Sequence, residues 1–163
     1  MKKLLKISSV LAITMGIVLA TGSVWGIYFT YRNVAQEKIV TPSDASIPES
    51  PVRGPWTLKS QADIIRTHTL KMTGGKTFAE MPRQIPKLDE KGNSVLDTEG
   101  KPVMVTNTAR DIWITATTLI TALNLGIIVY VFFSFVLLFG LFSVWIGGVF
   151  WVLSRNYQVE RHN

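Results

Sequence analysis

The chain has 163 residues, 17 Lys and Arg against 11 Asp and Glu for a net charge of +6, and no cysteine; 47% of it is hydrophobic and only 17% charged. Soluble domains average roughly 25% charged, and here the deficit is concentrated, because no charged residue occurs from Ile7 to Tyr31 or from Ile112 to Ser154. Both runs exceed the ~18 apolar residues that mark a bilayer span, which excludes a soluble single-domain enzyme. Zero cysteines exclude disulfides, a lipidated cysteine and thiolate-bound zinc or iron–sulfur centres.

Residues 1–6 form a basic opening with Lys2, Lys3 and Lys6. The stretch that follows, 7–30, is long enough to cross ~30 Å of hydrocarbon. A cleavable signal peptide would use Ala20-Thr21-Gly22 as its processing site. An uncleaved signal anchor is the favoured expectation, because apolar character continues through Val24, Trp25, Ile27, Tyr28 and Phe29, and those aromatics suit an outer interface. Ala12, Gly16 and Ala20 recur every fourth residue, and Gly22 and Gly26 add a second small-xxx-small pair. This predicts a helix-packing face where two backbones approach closely, against the second span or another subunit.

Residues 31–111 are predicted to be a mostly irregular extracytoplasmic loop. Pro42, Pro48, Pro51 and Pro55 make Thr41 to Trp56 an expected extended tether. One helix is predicted to start at Ser60-Gln61-Ala62-Asp63, with Ile64, Ile65, Leu70 and Met72 as its apolar contacts and Gly74-Gly75 as a left-handed stop. Gly74-Gly75-Lys76-Thr77 also ends like a phosphate-binding loop, GxxxxGK[ST], but Leu70 occupies the first-glycine position and a helix precedes it where a strand is required. Thr77-Phe78-Ala79-Glu80 predicts a short turn. Leu88 to Val103 is an octapeptide written twice, Leu-Asp-Glu-Lys-Gly-Asn-Ser-Val and Leu-Asp-Thr-Glu-Gly-Lys-Pro-Val, the chemistry of short strands joined by tight turns. Its acidic residues lack the alternating ligands and closing Glu of a calcium loop.

The second run, as one continuous helix over Ile112–Ser154, would reach about 64 Å, against ~45 Å for hydrocarbon plus headgroups. No proline, glycine or polar cluster near Tyr130 to Val136 offers a return turn. Residues 131–153 are the expected second span, preceded by a membrane-proximal helix over 112–130 and followed by a cytoplasmic tail over 154–163. In that proximal helix Thr117, Thr121 and Asn124, at i, i+4 and i+7, form a polar stripe opposite Ala116, Leu119, Leu123 and Ile127. A protein partner is expected to cover the stripe; alternatively, the threonines bond their own backbone carbonyls. Lys2, Lys3 and Lys6, with Arg155 and Arg161, put both termini in the cytoplasm by the positive-inside rule. The loop's near-balanced charge is no nucleic-acid footprint.

Only two histidines occur, His68 in the loop and His162 near the C-terminus, so this topology separates them across the membrane. No two-His iron site or three-His zinc site assembles from them within one subunit, and His68 lacks a recognisable catalytic set in sequence. No metal or cofactor site is expected.

The motifs Glu37-Lys38-Ile39, Ser43-Asp44-Ala45, Gly54-Pro55-Trp56, Ala62-Asp63-Ile64-Ile65 with His68, and Gly75-Lys76-Thr77-Phe78-Ala79-Glu80 resemble those of a family of small actinobacterial two-span membrane proteins. Many of its members are labelled aromatic ring-opening dioxygenase, without established activity. The resemblance implies a short N-terminal span, an external segment and a C-terminal span. The octapeptide repeat and the long second run depart from the pattern, and the histidine count conflicts with the dioxygenase label. The expected fold is an all-α membrane protein, two transmembrane helices flanking a small loop with one helix and a short β-turn repeat. The expected function is non-enzymatic: an accessory subunit or assembly factor of a cytoplasmic-membrane complex, respiratory complexes being one candidate, with other membrane subunits and the bilayer as partners. Alternatives are an extracytoplasmic ligand or cell-envelope sensor, with Trp56 and the 62–72 helix forming a pocket, and a small oligomeric channel lined by Thr117, Thr121 and Asn124.

Overall fold

In the computed structural model, residues 2–156 are described; Met1 and residues 157–163, including Arg161 and His162, lie outside them. The elements in chain order are α1 (Lys2–Gln36), α2 (Pro55–Met72), a 3-10 turn (Phe78–Glu80), β1 (Gln84–Pro86), β2 (Met104–Thr106) and α3 (Thr108–Asn156). The chain is mostly helical. By length and composition α1 and α3 are each long and apolar enough to cross a membrane. Contacts divide the chain into a helix-pair unit (residues 2–39, 51–55 and 125–156) and a loop unit (residues 40–50 and 56–124).

In the helix-pair unit α1 runs antiparallel to the second part of α3. Ser9 meets Gly147, Ala12 meets Ser143, Gly16 meets Gly140 and Gly26 meets Phe133. Ser9, Gly16, Ser23 and Thr30 are buried on α1, and Gly140, Gly147 and Ser154 on α3. Both sets recur every seventh residue, the period that keeps one seam of an α-helix facing its neighbour. Small side chains on both seams let the backbones approach until glycine meets glycine. Ser23 and Thr30 turn their hydroxyls onto the carbonyls of Leu19 and Gly26 in their own helix, at 2.7 and 2.9 Å, so neither is left unsatisfied. At the far end of the pair, the Tyr130 hydroxyl donates to the Arg53 carbonyl at 2.6 Å, and the Arg53 guanidinium donates to the Tyr31 hydroxyl at 3.2 Å. The strap of residues 51–55 is pinned again where Val52, almost wholly buried, donates its N–H to Ile39 O at 2.9 Å.

The loop unit is more ordered than an extended tether. Between residues 41 and 50 the buried Thr41 is a hub: its hydroxyl donates to Ile47 O at 2.5 Å and accepts from Ser50 N at 2.9 Å, while its own N–H donates to Ser50 O at 3.0 Å. The prolines fix turns here because a polar side chain supplies the hydrogen bonds that no ladder does. The helix α2 begins at Pro55 and not at Ser60. Proline suits the first helical position, where its missing N–H costs nothing. Ser60 is therefore inside the helix and buried, with its Oγ accepting from Ile47 N at 2.9 Å. The helix ends as the two glycines predict: Gly75 N donates to Leu70 O at 2.7 Å and Gly74 N to Lys71 O at 3.3 Å, with φ of 62° and 79° at Gly74 and Gly75.

β1 and β2 pair antiparallel with Ile85 opposite Val105. The two octapeptides between them repeat in geometry as well as in letters. In each, the leading aspartate accepts two backbone N–H groups through Oδ1: Lys91 and Asn93 on Asp89, Glu99 and Lys101 on Asp97. The glycine, Gly92 or Gly100, takes positive φ. Lys87 N donates to Val103 O, Val103 N to Val95 O and Val95 N to Lys87 O, closing a ring of three bonds at positions eight apart.

Candidate functional site

α3 opens with a cap and a clamp. Asn107, buried, accepts from Ala109 N through Oδ1 at 3.1 Å and donates through Nδ2 to Pro82 O at 3.0 Å. One turn on, the Arg110 guanidinium donates to the carbonyls of Phe78 and Met81 and lies 3.7 Å from the Phe78 ring centroid. A half-buried cation here ties α3 to the 3-10 turn by hydrogen bonds and a cation–π contact. The turn is capped by the Glu80 carboxylate, which accepts from the N–H and the hydroxyl of Thr77, both at 2.7 Å. Those bonds, the backbone N–H first, hold the Glu80 carboxyl below its ordinary pKa. The Gly74-Gly75-Lys76-Thr77 segment thus serves as a helix stop followed by a turn cap.

The polar side chains on the first part of α3 fall into two groups, Thr115 and Thr118 beside the predicted stripe and the stripe itself. Thr115 and Thr118 donate to the carbonyls of Asp111 and Ile114, both at 3.0 Å. Thr117, Thr121 and Asn124 are exposed, and none of their side chains makes a hydrogen bond within the described residues. Ile114, Leu119, Leu125 and Ile128 are exposed beside them. Phe78, Trp113, Ile114, Thr117 and Thr118 line a small open cleft of about 260 Å³. A pocket built on Trp56 is not formed: that indole is 81% exposed.

Among the residues expected on the α1 packing face, Ala12, Gly16, Ala20 and Gly26 face α3. A Cβ on Gly16 would lie 2.6 Å from Gly140 O, and one on Gly26 2.4 Å from the Phe133 ring. Gly140 lies correspondingly close to the Ala20 backbone. Gly22 is elsewhere: it is exposed and a Cβ there would meet nothing within 4 Å. It lies one residue before the buried Ser23 and outside the sevenfold series, on the outward side. Ser9, Ser23 and Thr30, absent from the expected face, are buried alongside Gly16 and Gly26.

His68 Nε2 lies 2.7 Å from Asp44 Oδ2, both side chains about half exposed. The hydrogen bond to His68 is the main cause holding the Asp44 carboxyl below its ordinary value. The His–Asp distance resembles half of a catalytic triad, and Ser46, two residues from Asp44, donates to Ser60 at 2.9 Å and not to His68. No group of three or more His, Cys, Asp or Glu side chains among the described residues is arranged to hold a metal ion. Comparison with protein families, curated proteins and solved structures finds no match for this chain.

Proposed function

We propose that this protein is a non-enzymatic integral membrane protein with two spans, acting as an accessory subunit or assembly factor of a larger complex in the cytoplasmic membrane. In this reading both termini are cytoplasmic and the loop unit is extracytoplasmic. The observation that carries it is the unbonded row Thr117, Thr121 and Asn124. Their side chains make no hydrogen bond among the described residues, while Thr115 and Thr118 bond carbonyls of their own helix. Amides and hydroxyls at helical spacing, interleaved with exposed Ile114, Leu125 and Ile128, are the chemistry of a helix–helix contact. All three side chains are exposed, which leaves the stripe open to a second protein. The family resemblance in the loop motifs is consistent with a small membrane protein and supplies no activity.

The test is purification of the tagged full-length chain in mild detergent followed by mass spectrometry. A stoichiometric membrane partner is expected, lost when Asn124 is replaced by Leu together with Thr121→Val. A lone monomer or homodimer as the sole species would contradict the reading. A second reading, an extracytoplasmic sensor, is favoured by the cleft of Phe78, Trp113 and Thr117, and it predicts a small ligand protecting that cleft from hydrogen exchange.

A further inference from the structure

Lys2, Lys3, Lys6 and Arg155 gather at the end of the helix pair where Ser9 meets Gly147. None of the four makes an ion pair among the described residues, and no acidic residue occurs between Lys2 and Gln36 or between Ile112 and Asn156. On α1, Lys3 and Lys6 share one face with Ile7, Val10 and Leu11, at i, i+3, i+4, i+7 and i+8. Those five residues line a shallow groove of about 410 Å³. Its lower walls are apolar and open, Ile7 and Leu11 being 57% and 61% exposed. The groove's lining is apolar throughout, the lysines contributing their methylene stems, and the Lys6 ammonium stands 6.0 Å from the Trp151 ring centroid of α3, a cation–π contact.

We infer that this groove is a binding site for an anionic phospholipid, its phosphate held by Lys3 and Lys6 and an acyl chain lying along Ile7, Val10 and Leu11. Charge complementarity selects the occupant. Two ammonium groups without an ion pair among the described residues call for an anion, and the apolar floor beside them calls for one with a hydrocarbon tail. A zwitterionic lipid carries its own cation and gains less from the lysines. Inorganic phosphate leaves the floor uncovered. The inference rests on the membrane reading above.

The full-length chain is reconstituted in vesicles of phosphatidylcholine with one-tenth phosphatidylglycerol, tested for flotation, then extracted, and its retained lipids are counted by native mass spectrometry. The wild-type chain is expected to float and to retain phosphatidylglycerol in preference to phosphatidylcholine. Lys3→Gln should lower that retention about fivefold and the Lys3→Gln, Lys6→Gln pair more than about tenfold. Ile7→Trp, which fills the groove while keeping both charges, should also lower it, whereas Lys59→Gln in α2 should leave it unchanged. Equal retention by the wild type and the double variant, or no preference for the anionic lipid, overturns the site while flotation keeps the membrane reading intact. Displacement of the lipid by inorganic phosphate, beyond that by chloride at the same ionic strength, would assign the lysines to a free anion and overturn the lipid site. A chain that does not float overturns the membrane reading itself.

Discussion

The Ser9 hydroxyl of α1 donates to the Gly147 carbonyl of α3 at 2.7 Å, across 138 positions of sequence. One turn along, Ser143 of α3 donates back to the Ala12 carbonyl of α1 at 2.9 Å. Each helix thus supplies a donor and an acceptor, which fixes the sliding register of two otherwise smooth, small-residue surfaces. Interhelical hydrogen bonds in membrane proteins are worth about 0.6 kcal/mol each on average. Ser9→Ala and Ser143→Ala should each lower the unfolding free energy in detergent by about that amount, and the double variant by about the sum. A cost near zero for both would mean that packing alone sets the register.

Glycine positions on α1 divide sharply. A methyl group on Gly16 would lie 2.6 Å from the Gly140 carbonyl and from Val144 Cγ2, so the helices must part; on Gly22 it would touch nothing. Gly16→Ala should therefore destabilise the pair by about 1–3 kcal/mol, the usual cost of overpacking. Gly22→Ala should be neutral or stabilising, since Ala is the better helix former. Denaturant titration of both variants in one detergent checks this, and equal effects would contradict the α1–α3 seam.

Arg110 closes the 3-10 turn onto α3. Removing it strips the Phe78 and Met81 carbonyls of a charged donor and the Phe78 ring of its cation. Hydrogen bonds to charged groups contribute about 1.5–3 kcal/mol. Arg110→Ala should thus speed amide exchange at Glu80, whose N–H bonds Thr77 O at 3.1 Å, by more than about tenfold in the full-length chain. Arg110→Lys should restore little, because an ammonium cannot spread planar donors over two carbonyls and stack on the ring at once.

The Asp44–His68 pair predicts a pH dependence with a defined sign. The hydrogen bond from His68 holds the folded Asp44 carboxyl below its ordinary value, with the histidine's charge adding to it. Stability from this group is complete above the ordinary carboxylate range and is lost as pH falls through the folded value. Carboxyl NMR titration should find Asp44 below its ordinary pKa of 3.8 and should return it toward that value in His68→Gln. An unchanged titration in the variant would remove His68 as the cause.

Two long apolar helices and a helix stop at Gly74-Gly75 were legible from charge-free runs and a glycine pair, because those signals are local. The seam between α1 and α3 was half legible. Gly16 belongs both to the fourfold series with Ala12 and Ala20 and to the sevenfold series Ser9, Gly16, Ser23 and Thr30; which series faces inward depends on how the partner helix crosses, and no single helix records that. The same limit hid Thr41. A threonine among prolines reads as part of a tether until Ile47 and Ser50 fold back to share its hydroxyl. Ser60 begins a plausible capping pattern, yet Pro55 upstream takes the helix start, and Ser60 bonds Ile47 thirteen residues earlier. The octapeptide turns were legible because each aspartate bonds only to its own turn.

The placement of these two helices in a bilayer, with the loop unit outside the cytoplasm, is tested most directly by an impermeant thiol reagent on intact cells. The natural chain has no cysteine, so there is no background. The account predicts that Ser94→Cys is labelled without permeabilisation and that Ser8→Cys is labelled only after it. Labelling of Ser8→Cys in intact cells, or protection of Ser94→Cys until lysis, would contradict it.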